Sequence, residues 1–265
     1  HCCNIYPMRH ILVCVKAVPV STSVAVDGQL RLKREGAGLQ WNIADESALE
    51  AALRLTDGNG RVTVLTMGPA KLAEPLSELL ARGAGRAVLI TDRLMAGADT
   101  HATARALAAA AEKLGAFDAL FCGCKAIDGE TGQVPGELAA ALGLPCVSNV
   151  ESIREQGEKW ILSRRLEAGV QTLEAAEPLI VSFAAYSYPL RLAGILGMRR
   201  ARKTPVEMLT AADLGLTPAE CGLKGSLTRV TAMQTKFPGL RRGARETDPQ
   251  VGVRELTRIL REAGS

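Results

Sequence analysis

From residue 10 to residue 150 the chain alternates between two kinds of stretch. Short apolar, β-branched runs occur at 10–15, 61–67, 87–91, 117–122 and 146–150. Between them lie segments of helical periodicity at 45–55, 71–82, 99–114 and 131–142. A strand that is apolar without alternation needs cover on both faces, as central strands of a parallel sheet have. Strands separated by helices of this length predict an α/β architecture with a mostly parallel sheet between helical layers. In such a fold ligands lie beyond the carboxyl ends of the strands. Here those ends are residues 16–19, 66–69, 92–100 and 123–134.

The boundaries carry their own signals. Asp45 is read as the N-cap of the first helix and Asp99 or Thr100 as that of the third. Gly58-Asn-Gly60, Gly68-Pro69, Gly83, Gly143 and Pro145 mark stops, and Asp27-Gly28 predicts a small hairpin between Val24 and Leu32. After residue 150 the pattern changes. Strands are expected at 160–167 and 179–184, joined by a segment containing Gly169. From Thr204 strands are hard to place, residues 224–249 have little core-forming pattern, and 251–262 reads as an amphipathic helix. The expected organisation is an extension outside the fold at 1–7, an α/β domain at 8–223, and a C-terminal arm and helix at 224–265.

Several chemistries find no residues to carry them. The three histidines form no constellation with a nucleophile or an acid: His1 is in the extension, His10 starts a strand and His101 is in the first turn of a helix. The seven cysteines include no CxxC, and several lie in apolar runs where Cys behaves as a small hydrophobe. That usage suits a reducing, cytoplasmic compartment. A net charge of +4 is too small and scattered to argue for nucleic acid. No apolar run is long enough to cross a bilayer, and the start of the chain does not resemble a signal peptide. With aromatics at 3%, any stacking on a flavin or a base must come from a partner chain or from aliphatic contacts. What remains is binding groups without proton-transfer machinery, which suits a carrier whose redox chemistry belongs to its cofactor.

The loop Gly123-Cys-Lys-Ala-Ile-Asp-Gly-Glu-Thr-Gly-Gln-Val134 follows a strand and precedes a helix. Gly129 and Gly132 permit close backbone approach. A helix start at Thr131 would present free N–H groups and the positive end of its dipole to a phosphate, with Thr131 and Gln133 as side-chain donors. The loop contains no GK[ST], and GxGxxG is absent from the chain. On the residues alone, a phosphate seat and an ordinary βα turn stand equal.

Longer matches bear on the choice. Leu12-Val-Cys-Val-Lys-Ala-Val-Pro19, residues 42–55, Val62-Thr-Val-Leu-Thr-Met-Gly-Pro69, Ala126-Ile-Asp-Gly-Glu-Thr-Gly-Gln133 and residues 165–182 with Glu167, Gly169 and Pro178 together resemble the beta subunit of electron transfer flavoproteins. The resemblance runs from Met8 over nearly the whole chain. It implies a flavodoxin-like, adenine nucleotide hydrolase-like fold and a heterodimer with an alpha subunit that carries the electron-transferring FAD. It implies a nucleotide pocket built from Cys14, Asn42, Ile43, Ala44, Asp45 and Met67, together with Gly123, Cys124, Lys125, Ala126, Ile127, Asp128, Gly129, Glu130, Thr131, Gly132, Gln133 and Val134. In one branch of the family that pocket holds AMP, and in the electron-bifurcating branch a second FAD.

Gly97-Ala-Asp-Thr-His-Ala-Thr103 and Asp128-Gly-Glu-Thr-Gly-Gln-Val134 are similar to the FAD-binding pattern, which implies FAD over AMP and places Asp99, Thr100 and Thr103 near the flavin. Gly123-Cys-Lys125 stands where the family has Gly-Lys-Gln, so Lys125 is displaced by one position, and Ile43-Ala44 replaces the common Pro-Phe. Residues 189–201 resemble the loop that meets acyl-CoA dehydrogenases or similar redox partners. Ile195 and Leu196 would be its apolar anchor and Arg199 and Arg200 its basic flank. Two other readings stay open: a subunit whose AMP only aids assembly, and a free-standing nucleotide sensor of the same fold.

Overall fold

A computed structural model describes residues 8–20, 38–57, 60–157, 159–231 and 246–263. The hairpin expected around Asp27-Gly28 and the extension at 1–7 lie outside the described residues. The first half contains β1 (Arg9–Cys14), β2 (Ala17–Pro19), β3 (Leu39–Trp41), α1 (Ile43–Leu55), β4 (Gly60–Met67), α2 (Ala73–Arg82), β5 (Arg86–Ile90), α3 (Thr100–Leu114) and β6 (Ala119–Gly123). It is followed by α4 (Val134–Leu142), β7 (Cys146–Gln156), β8 (Lys159–Leu166), β9 (Gly169–Ala175), β10 (Leu179–Phe183), α5 (Ile195–Ala201), β11 (Glu207–Leu209), α6 (Gly222–Gly225) and α7 (Pro249–Ala263). Residues up to Val230 form one compact unit and those from Thr231 a second.

Among the described residues the main sheet has nine strands in the order β11-β5-β4-β1-β6-β10-β7-β8-β9. It is parallel from β11 to β7 and ends in an antiparallel β7-β8-β9 meander. The short β2 and β3 pair separately and antiparallel. Each central strand splits its side chains between two cores with period two. Ile11 and Val13 of β1 and Ala119 and Phe121 of β6 face the core under α1 and α2. Leu12, Cys14, Leu120 and Cys122 face the core under α3 and α4. The result is three layers, with a change of helical face between α2 and α3.

That change defines the topological switch point. From β1 the chain moves outward to β4 and β5, then returns across the sheet to β6 on the other side of β1. The crevice at the carboxyl ends of β1 and β6 is where this topology leaves room for a ligand. The scarce aromatics are largely spent on the core. Phe121 packs edge-on against Trp160 at 5.6 Å and tilted against Phe183 at 4.9 Å, and all three are fully buried.

Three elements differ from the expectation. The segment containing Gly169 is the strand β9, whose backbone pairs with β8 over its whole length although its side chains are mostly exposed. Residues 204 onward supply β11, an edge strand of three residues paired to β5. The fourth helix begins at Val134 rather than Thr131. Gly132 takes a left-handed φ of 63°, Gln133 is the N-cap, and Pro135 sits in the first turn where its missing N–H costs nothing.

Candidate functional site

β6 ends at Gly123, and the absence of a side chain there is a steric requirement. A Cβ on Gly123 would lie 2.3 Å from Asp45 Oδ1 and 2.7 Å from Ala44 Cβ, so only glycine lets β6 approach the start of α1 this closely. The Gly123 N–H donates to Asp45 Oδ1 at 2.9 Å, and the next N–H, that of Cys124, donates to Phe183 O. Ala126, Ile127 and Asp128 are half-buried, whereas Gly129, Glu130, Thr131, Gly132 and Gln133 are exposed. The turn bends at Glu130, whose φ is 50° and whose N–H donates to Ala126 O at 2.8 Å. Lys125 Nζ lies 3.5 Å from Glu130 Oε1.

Asp45 is not the cap of α1. That position belongs to Asn42, which has extended backbone and makes no side-chain capping bond. Asp45 lies inside the first turn, 6% exposed, with its carboxylate turned into the sheet. Its Oδ2 accepts from the Lys16 N–H at 2.7 Å, and its Oδ1 accepts from Asn42 Nδ2 at 3.0 Å as well as from Gly123. Asn42 Nδ2 also donates to Lys125 O at 3.0 Å, Asn42 Oδ1 accepts from the Ile127 N–H at 3.4 Å, and the Asn42 N–H donates to Lys16 O at 2.9 Å. Burial pushes the Asp45 carboxyl up to about 7, against the opposing pull of the Asn42, Lys16 and Gly123 bonds and of the Lys16 charge. Sequence reasoning put Lys16 at a strand end where ligands lie but gave its side chain no role. Its ammonium reaches Asp128 Oδ1 at 2.6 Å, across the mouth of the crevice. The signal available was its place directly after β1, at the switch point.

Cys14 and Met67 close the same edge from β1 and β4. The Cys14 side chain is 7% exposed with its thiol pushed up by burial, so only its backbone is available to a ligand. Met67 is half-buried.

The segment 97–103 reaches the loop through one residue. Thr100 Oγ1 donates to Gln133 Oε1 at 3.1 Å and lies 3.0 Å from Glu137 Oε1, bridging the starts of α3 and α4. Asp99 is the cap of α3, accepting from the Ala102 N–H at 2.9 Å. Its Oδ2 accepts from the N–H and Oγ1 of Thr228 at 2.8 and 2.9 Å. Burial raises its pKa, but these bonds outweigh it and hold the carboxyl below its ordinary value. Thr103 donates its N–H to Asp99 O within the first turn. The structure thus gathers Asn42, Asp45 and residues 123–128 into one bonded hub around Lys16, and joins Thr100 to Gln133 beside it.

Residues 189–201 lie elsewhere, over α1 and α2. Glu50 of α1 is 3% exposed and accepts from Arg191 Nε at 2.9 Å, Arg191 Nη2 at 3.2 Å, the Arg191 N–H at 3.1 Å and Arg54 Nε at 2.8 Å. Arg82 Nη1 takes the Arg191 carbonyl at 2.9 Å. Beyond this clasp Leu192, Ile195 and Leu196 are 86%, 74% and 79% exposed, and Arg199 and Arg200 are exposed too. No group of His, Cys, Asp or Glu among the described residues could hold a metal. No described helix is long and apolar enough to cross a membrane.

Comparison with known proteins accords with this layout. The family model described as "Electron transfer flavoprotein domain" matches residues 29–214. The electron transfer flavoprotein subunit beta of Thermoanaerobacterium thermosaccharolyticum is 42% identical, over 85% of this chain and 88% of that protein. The caffeyl-CoA reductase-Etf complex subunit CarD of Acetobacterium woodii is 39% identical, over 83% and 85%. Protein FixA of Azorhizobium caulinodans is 39% identical, over 83% and 82%.

Proposed function

The chain belongs to the beta-subunit family of electron transfer flavoproteins, and from that premise we propose that it binds FAD on the loop 123–134 and works as half of a heterodimer. Its partner is an alpha subunit that carries the second flavin. The pair shuttles electrons between a dehydrogenase, or NADH, and acceptor proteins, with bifurcation between two acceptors as its mode. The observation that supports FAD is the bond from Thr100 to Gln133, which brings the segments 97–103 and 128–134, both similar to the FAD-binding pattern, next to each other.

The residues present fit a dinucleotide. Exposed backbone at 129–132 flanks the N-terminus of the nine-residue α4, and a Cβ at Gly129 would meet nothing within 4 Å, so a diphosphate has room to lie against the chain. The hub behind the loop holds that backbone in place. When bound, the flavin would supply the one- and two-electron chemistry. Among the described residues only Tyr186 offers a widely exposed aromatic ring, at 76%, so partner and aliphatic groups provide the remaining cover for the isoalloxazine. Residues 189–201 dock the dehydrogenase-like partner through Ile195 and Leu196, flanked by Arg199 and Arg200. Helix α7, which exposes Val253 and Leu260, packs on the alpha subunit; residues 232–245 of the expected arm lie outside the described residues.

The test is the nucleotide content of the purified heterodimer. Extraction should give two flavins per complex. One flavin and one AMP would replace the FAD reading by an AMP-holding subunit, and nucleotide binding by the chain alone, without a partner, would favour a free-standing sensor.

A further inference from the structure

We infer that Asp45 is a positioning residue for the nucleotide: it never touches the ligand, but by holding the backbone N–H groups of Lys16 and Gly123 on its two oxygens it sets the width of the phosphate seat between β1 and β6. The inference rests on the reading that loop 123–134 binds a nucleotide phosphate. Asp45 itself is a poor ligand contact, because it is 6% exposed and both oxygens are taken by chain groups at 2.7–3.0 Å. Those groups belong to the ends of the two strands that flank the switch point, and Asp45 joins them through one planar carboxyl. Gly123 permits no slack, since a Cβ there would overlap Asp45 Oδ1. Asn42 extends the same tie to Lys125 and Ile127, so the first half of the loop hangs from the first turn of α1.

The charges around the carboxyl give this role a signature. From β1 it faces the buried thiol of Cys14 and the backbone of Lys16, whose ammonium is turned to Asp128. From β6 and the loop it faces the thiols of Cys122 and Cys124, with Lys125 turned to Glu130. Among the described residues no cation is bonded directly to Asp45, and burial pushes its carboxyl up to about 7. A phosphate anion placed over the loop makes ionisation harder still, so the bound form keeps a proton that the empty form releases. Binding therefore takes up protons, and affinity falls as pH rises.

The experiment titrates the heterodimer, stripped of this nucleotide, with FAD and separately with AMP by calorimetry. Measurements run between about pH 6 and about pH 8.5, in buffers of differing ionisation enthalpy. FAD is the cleaner probe, because the second ionisation of a phosphomonoester near about pH 6 belongs to AMP itself. The wild-type Kd for FAD should rise roughly tenfold across the window, as one unit of pKa displacement implies. Asp45→Asn, which cannot ionise and keeps one acceptor oxygen with its Nδ2 facing the second N–H group, should bind with a flat profile, at an affinity below the wild-type value at low pH but above that of Asp45→Ala. Asp45→Ala should bind worse at every pH, because it leaves the N–H groups of Lys16 and Gly123 without an acceptor. A flat wild-type profile, or an Asp45→Asn variant with the wild-type slope, would overturn the inference while leaving the nucleotide site intact. Absence of any FAD or AMP binding by the wild type would instead remove the nucleotide reading, and this inference with it.

Discussion

Gly197→Ala isolates the packing that presents the exposed leucines. In α5, a Cβ added at Gly197 would lie 2.0 Å from Ala81 O, 3.1 Å from Ala81 C and 3.6 Å from Ala81 Cα. These are backbone atoms of α2, which cannot swing aside as a side-chain tip can. Restoring ordinary contact of about 3.5 Å requires α5 to lift by roughly 1.5 Å. Such overpacking costs about 1–3 kcal/mol. The cost falls on the docking of one short helix, because α5 closes little core beyond Ala201 and a long 3.5 Å bond from Arg200 to Leu80 O. It should appear as easier local opening, with amide exchange across 195–201 accelerated roughly 5- to 150-fold. Hydrogen exchange read by mass spectrometry resolves that peptide, with thermal unfolding as the global control. Gly194→Ala is the matched comparison: φ is −80° there, nothing lies within 4 Å, and the change should cost under about 1 kcal/mol. Equal exchange in the two variants would refute the claim that backbone contact at Ala81 seats the loop.

Leu196→Ala should slow electron transfer to a protein partner while leaving flavin content unchanged, as measured by stopped-flow and absorbance, and an unaltered rate would reject the docking role of 189–201. Trp160→Ala removes a fully buried ring stacked edge-on with Phe121, and should lower stability by about 3–5 kcal/mol in urea unfolding. Burial pushes Glu50 upward, but the guanidinium groups of Arg191 and Arg54 outweigh it and hold the carboxyl below its ordinary 4.5. A depressed carboxyl stabilises above its unfolded value, and that stability is lost as pH falls through the folded one. Glu50→Gln should therefore flatten the acid limb of a stability-against-pH curve below about pH 5, and an unchanged limb would count against the clasp.

The α/β frame was readable because its strands are apolar on both faces and its turns carry glycine or proline, so burial and punctuation mark the same positions. β9 escaped because it is held by backbone pairing to β8, while Gly169, Val170, Gln171 and Thr172 face solvent and carry no alternation. α5 escaped because the resemblance makes 189–201 a loop, whereas Gly197 lets residues 195–201 pack as a helix against Ala81. Asp45 was placed correctly at the start of α1 and given the wrong task. A carboxylate at that point looks the same in sequence whether it caps its own helix or reaches a strand 78 residues away. Lys16 was passed over for the same reason, since its partner Asp128 is distant in sequence and only the switch point brings them together.

Helix α1 has 13 residues. Its cap Asn42 and first-turn Asp45 are tied to the loop after β6, and little more than a turn later Glu50 clasps Arg191. At 1.5 Å per residue these anchor points are about 8 Å apart along a rigid rod. The two anchor points therefore share one helix, with little more than a turn between them. A nucleotide that draws the first turn inward pulls on the clasp below Leu192 and Ile195. Where a nucleotide shifts that clasp, a protein landing on the loop shifts nucleotide affinity by the same free energy. Exchange rates at 191–196 measured with and without nucleotide report that force, and identical rates would leave the two ends of α1 mechanically independent.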